Sequence, residues 1–141
     1  MNIMKSRTVL LLAVCYVCLL WDAHAQVIVA NPSVRASSLS KSELHDIFDG
    51  SALTFSNGSK AIPATLKAGP THEIFLKTYV GKSDTAFRAT WRQAVFSGQA
   101  SMPKSFETET ALLEYVASTP GAIGYVSNAS GHDNVKVLAV H

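Results

Sequence analysis

TPGAIGYVS, residues Thr119–Ser127, sets a helix stop directly against a strand. Thr119-Pro120-Gly121 ends the helical pattern before it, since proline cannot continue a helix and glycine suits a left-handed exit. Ala122–Ser127 then runs apolar with no polar alternation, as a strand covered on both faces does. Val27–Ala30, closed by Asn31-Pro32, has the same pattern, and Val135–Val140 follows as another strand beyond the polar loop SNASGHDN.

Helical periodicity fills the intervals. SSLSKSELHDIFDG places Ser40 and Glu43 at capping-box spacing, Leu39 and Leu44 at staple positions, and Leu44, Ile47 and Phe48 on one face before Gly50. Asn57-Gly58 predicts a hairpin, followed by a strand over Ala61–Leu66 in which Pro63 suggests an edge or an irregularity. Pro70 opens a second helix that buries Ile74, Phe75, Tyr79 and Val80 and stops at Gly81. Ser83 caps a third, with Phe87, Trp91 and Val95 recurring every fourth residue. A fourth, about Glu107–Ser118, buries Leu112, Leu113, Tyr115 and Val116 and has acids in its first turn, where the helix dipole favours them. Strands alternating with helices, the strands apolar on both sides, predict an α/β layer fold with helices on both faces of the sheet.

The first 25 residues stand apart. Lys5 and Arg7 precede the apolar run Val9–Leu20, which closes on Ala23-His24-Ala25. That is a secretory signal with cleavage expected before Gln26, and the run falls short of the ~20 residues of a membrane span. The expected organisation is a signal peptide over 1–25 and one domain over 26–141, periplasmic or secreted, with no membrane insertion after cleavage. Cys15 and Cys18 both lie in the leader, so the mature chain has no thiol or disulfide chemistry. Removing Lys5, Arg7 and Asp22 leaves the charges almost balanced, and nothing calls for nucleic acid.

Three phrases carry a family resemblance: SSLSKSELHDIFDG, TWRQAVFSGQASMPKSF and TPGAIGYVS. In this order along nearly all of the mature chain they resemble the phosphate-binding proteins of ABC transporters, in the type 2 periplasmic-binding-protein superfamily. The resemblance implies a three-layer αβα sandwich equal to a single lobe of that two-lobed fold. In the family an Arg before a Ser-Gly-Thr turn binds phosphate at a helix start. In LKAGPTHEIF (66–75) the Thr falls on Thr71, the Ser on Gly69, the Gly on Pro70 and the Arg on Thr65, with Lys67 close by. Pro70 brings no N–H. The candidate anion ligands are therefore Lys67, Gly69, Thr71 and His72, although the helix dipole works against a protonated His72.

Other groupings have plainer readings. Arg88 and Arg92, one helical turn apart, suit an oxyanion clamp, but Asp84 stands one turn earlier to pair with Arg88. His45, His72, His132 and His141 form no pair with helical metal spacing, and Asp133 beside His132 reads as a surface turn, so no metal or other cofactor is expected. No GxSxG or SxxK occurs, and Glu107 and Glu109 are accounted for by the helix start, so no catalytic residue and no enzymatic activity are expected. Expected partners are a small oxyanion such as phosphate, bound weakly by half a clamp, and a second copy or an envelope protein completing the cleft. The alternative is a non-enzymatic envelope interaction module that has lost its ligand.

Overall fold

The computed structural model describes residues 26–141, so the expected leader, 1–25, lies outside the described residues. The chain runs β1 Val27–Ala30, β2 Ser38–Leu39, α1 Lys41–Asp49, β3 Ile62–Leu66, α2 Pro70–Phe75, α3 Asp84–Phe96, β4 Lys104–Phe106, α4 Glu109–Ser118, β5 Ala122–Val126 and β6 Lys136–Val140. Past Phe75 the second helix widens into π-type turns over Leu76–Val80. The strands form one sheet in the order β2-β6-β1-β5-β3-β4. β3 runs parallel to β4 and β5, and β2 parallel to β6, whereas β1 is antiparallel to both its neighbours.

Two adjacent residues of β5 show the layers, because successive strand side chains point to opposite faces. A Cβ on Gly124 would stand 2.8 Å from Leu112 and 3.4 Å from Val116, so α4 covers that face closely. Tyr125 points the other way, stacking on Phe75 at 3.8 Å between ring centroids, with the edge of Phe48 5.9 Å away. Helices α1 and α2 therefore cover the second face. The result is a three-layer αβα sandwich, as expected.

Local signals are realised with informative exceptions. Ser40 caps α1 by accepting the Glu43 N–H at 3.0 Å, and Gly50 takes the left-handed exit at φ 85°. The Glu43 carboxylate does not complete the capping box; it accepts the Ser56 N–H at 2.8 Å and ties α1 to the Asn57-Gly58 turn. That hairpin is reduced to a single bridge, Thr54 to Lys60. β3 is not an edge strand, being flanked by β5 and β4. Its Pro63 marks a change of partner: Ile62 and Pro63 pair with β5, and Ala64–Leu66 pair with β4. Of the residues recurring every fourth position on α3, Phe87 and Trp91 are buried but Val95 is exposed, because fourfold spacing drifts around a helix of 3.6 residues per turn. In the second helix the π widening buries Leu76 with Phe75 and Val80, while Ile74 and Tyr79 are only partly covered. Tyr115 is likewise half-buried, against Phe106.

Candidate functional site

Parallel strands put their carboxyl ends on one edge of a sheet, and in open α/β sheets ligands bind outside that edge. Here β3 leads into Lys67–Gly69 and the start of α2, β4 into Glu107 and the start of α4, and β5 into Ser127. Residues far apart in sequence therefore meet at one rim. Of the four expected ligands, Lys67, Gly69 and Thr71 lie on it. Lys67 is exposed, with Nζ 3.3 Å from Glu107 Oε1. Gly69 precedes α2 at φ 103°, a conformation that favours glycine, and its carbonyl accepts the Glu73 N–H at 3.0 Å. The Thr71 hydroxyl donates to Glu109 Oε2 at 3.3 Å.

The ring of His72 turns away from the rim into the core and is 1% exposed. Its Nδ1 lies 2.5 Å from the Tyr125 hydroxyl and its Nε2 2.7 Å from Asp84 Oδ1. The Tyr125 oxygen accepts the Leu66 N–H at 3.0 Å, so its proton is directed to His72 Nδ1, and Nε2–H donates to Asp84. Arg88 closes the chain of contacts, with Nε donating to Asp84 Oδ2 at 2.8 Å and Nη2 to the Lys67 carbonyl at 2.7 Å. Burial works to raise the Asp84 pKa, but the hydrogen bonds and charges of Arg88 and His72 outweigh it and hold the carboxyl below its ordinary range. Burial pushes the Tyr125 phenol well above its ordinary range. A buried, protonated phenol is a poor nucleophile, so this Tyr–His–Asp series works as a brace that fixes Leu66–Lys67 against α3 and β5. Arg88 belongs to that brace, beyond the surface pairing with Asp84 expected from the sequence, and Arg92 remains exposed.

Glu109 occupies the centre of the rim. Its carboxylate accepts the Ser127 N–H, and Ser127 Oγ lies 2.9 Å from both of its oxygens. The sequence attributes Glu109 to the helix dipole alone; its spacing to Thr71 and Ser127, 38 and 18 residues, gives no local signal. One further grouping does have a local signal: His45 and Asp49, one helical turn apart on α1. With Asp46 they bring three metal-type ligand atoms within 4.8 Å of one another. His45 Nδ1 is 3.1 Å from Asp46 Oδ1 and 3.6 Å from Asp49 Oδ2, and all three side chains are partly exposed. Of the larger hollows, one of about 650 Å³ lies by Ser33, Arg35, Lys60 and Gly121, and one of about 530 Å³ between α2 and α3. Neither is lined by Thr71, Glu109 or Ser127.

Solved structures share this architecture. An ABC-type phosphate transport receptor from Vibrio cholerae superposes with a TM-score of 0.64 at 18% identity, covering 83% of this chain and 46% of that one. A phosphate ABC transporter substrate-binding protein from Clostridium perfringens, solved with bound phosphate, gives 0.64 at 15%, covering 83% and 45%. PstS from Borrelia burgdorferi gives 0.64 at 15%, covering 84% and 47%. The fold is shared with phosphate-transport receptors. This chain spans less than half the length of those solved proteins, as expected of a single lobe. No protein-family model matches the sequence, and no curated protein matches it either.

Proposed function

We propose that this chain is a single-lobe, non-enzymatic solute-binding-like module that takes a small oxyanion such as phosphate, weakly, at the carboxyl edge of its sheet. The observation that carries this reading is the convergence of Lys67, Thr71 and Ser127 on one rim of a fold shared with phosphate-transport receptors. Half a clamp leaves water competing for every hydrogen bond, which keeps the affinity low. A second copy or an envelope protein would supply the missing jaw. The domain is residues 26–141, exported through a leader over 1–25 to the periplasm or beyond. No helix among the described residues is long and apolar enough to cross a membrane. Sequencing the N-terminus of the exported protein tests the boundary.

A second reading is favoured by one observation: the polar groups of the turn already have internal partners, Thr71 with Glu109 and Lys67 with Glu107. On that reading the rim docks an envelope partner and binds no solute. Thermal unfolding in phosphate, sulfate and a neutral sugar separates the two. An anion at 100 times its dissociation constant stabilises the fold by ~2.7 kcal/mol. Lys67→Ala with Thr71→Ala should abolish that shift, and a flat response to both anions at millimolar concentration refutes solitary oxyanion binding.

A further inference from the structure

A glutamate in the first turn of a helix ordinarily faces water and needs only the dipole. Glu109 instead reaches out to two other segments of the chain. Its carboxylate takes the Ser127 N–H, the Ser127 hydroxyl and the Thr71 hydroxyl. Among the described residues no Lys, Arg or His nitrogen comes within 4 Å of it to form an ion pair. A half-buried anion held by neutral donors alone is in the situation of a bound oxyanion: the donors define a receptor, and the carboxylate fills it. The position reinforces this. Ser127 follows a central strand and Thr71 stands in the first turn of α2, so both donors belong to the ligand-binding edge of the sheet.

We propose that Ser127 and Thr71 form a receptor for a carboxylate-like oxyanion, and that Glu109 is its resident ligand. Glu109 thereby determines specificity: an external oxyanion enters only by displacing it, and in doing so meets its charge. Removing the side chain frees the donors and lifts the like-charge repulsion together. The identity of the incoming solute rests on the oxyanion reading above, whereas the receptor itself does not depend on phosphate.

The test uses Glu109→Ala with formate, acetate and phosphate as probes against chloride at matched ionic strength. Formate or acetate should refill the receptor and raise the melting temperature of Glu109→Ala in a saturable way while leaving the wild type unmoved. Phosphate should bind Glu109→Ala at least tenfold more tightly than the wild type. Adding Ser127→Ala and Thr71→Val should abolish both effects. Glu109→Gln, which keeps an acceptor for the Ser127 N–H, should fall between wild type and Glu109→Ala; it also serves if the alanine variant does not fold. A folded Glu109 variant that no carboxylate stabilises overturns the proposal and makes Glu109 a structural strut. Stabilisation by acetate without any binding of phosphate supports the receptor and removes the oxyanion-solute reading. Equal phosphate affinity in wild type and Glu109→Ala retains that reading and overturns the displacement.

Discussion

Tyr125→Phe deletes one oxygen from the centre of the brace and leaves the ring stacked on Phe75. Two buried groups then lose a partner: the Leu66 N–H, which donated at 3.0 Å, and His72 Nδ1, which accepted at 2.5 Å. A net hydrogen bond contributes about 0.5–1.5 kcal/mol, and an orphaned buried polar group costs about 1–3 kcal/mol. The expected loss is about 2–4 kcal/mol, at the lower end if a water enters the hollow of about 20 Å³ bordered by Thr65, Leu66 and His72. Urea unfolding should show a midpoint lower by about 1–2 M at unchanged slope. The pH profile supplies an independent check. Burial raises the Tyr125 pKa above its reference of 10.0, so the native state retains a proton that the unfolded chain gives up. That contribution is fully present below pH 10.0 and is lost as pH rises beyond it, by about 1.4 kcal/mol per unit. The other tyrosines and the lysines titrate in both proteins, so only the difference between them reports Tyr125, and the variant should have the shallower alkaline arm. A loss below about 0.5 kcal/mol, with parallel alkaline arms, would refute the view that this hydroxyl organises the core.

Asp84, with its pKa lowered, gives the opposite sign: its contribution is present above the reference value of 3.8 and is lost as pH falls through the native value below that. Asp84→Asn should flatten the acid arm of a stability-versus-pH curve, and an unchanged arm would show that the carboxylate is not preferentially ionised in the native state. Gly121 holds φ 80°, and an added Cβ would stand 2.5 Å from the Lys60 carbonyl oxygen, so Gly121→Ala should cost about 2–4 kcal/mol by calorimetry. Trp91 donates its Nε1–H to the Phe48 carbonyl at 2.8 Å from a buried site, so Trp91→Phe should destabilise by about 1–3 kcal/mol, seen as a lower denaturant midpoint.

Elements with a local cause were legible in the sequence. Ser40 and Ser83 each cap a helix by accepting an N–H three residues on, and Gly50 and Gly81 end helices in the left-handed conformation, whereas the fourth helix, expected from about Glu107, starts at Glu109 behind a Thr108 cap. β1, β5 and β6 announced themselves by apolar runs. β2 and β4 did not: Ser38–Leu39 and Lys104–Phe106 are too short for any period to register, and they exist because a neighbouring strand offers an open ladder. Pro63 was legible as an irregularity but not as an edge. It argues against a central strand when pairing is continuous, but β3 changes partner at that residue.

The rim was legible only as a list of residues, because its chemistry is made by contacts that no local pattern encodes. His72 follows Thr71 directly, yet one side chain serves the core and the other the rim. One turns inward to a tyrosine 53 residues away, and the other turns to a glutamate 38 residues away. Parallel pairing explains the second contact. Once β3 and β5 end at the same edge, the start of α2, the start of α4 and the exit of β5 must all present donors there, and donors facing one another call for an anion. In a two-jawed protein a captured solute can meet that demand. A single jaw must meet it at all times, and Glu109 meets it from within the chain. The turn itself fits this: Pro70 contributes no N–H and Thr65 no charge, so a carboxylate held by neutral donors is enough. On the proposed reading, stability without solute and weak affinity for an oxyanion have the same cause, and substitution of Glu109 should restore the second at the expense of the first.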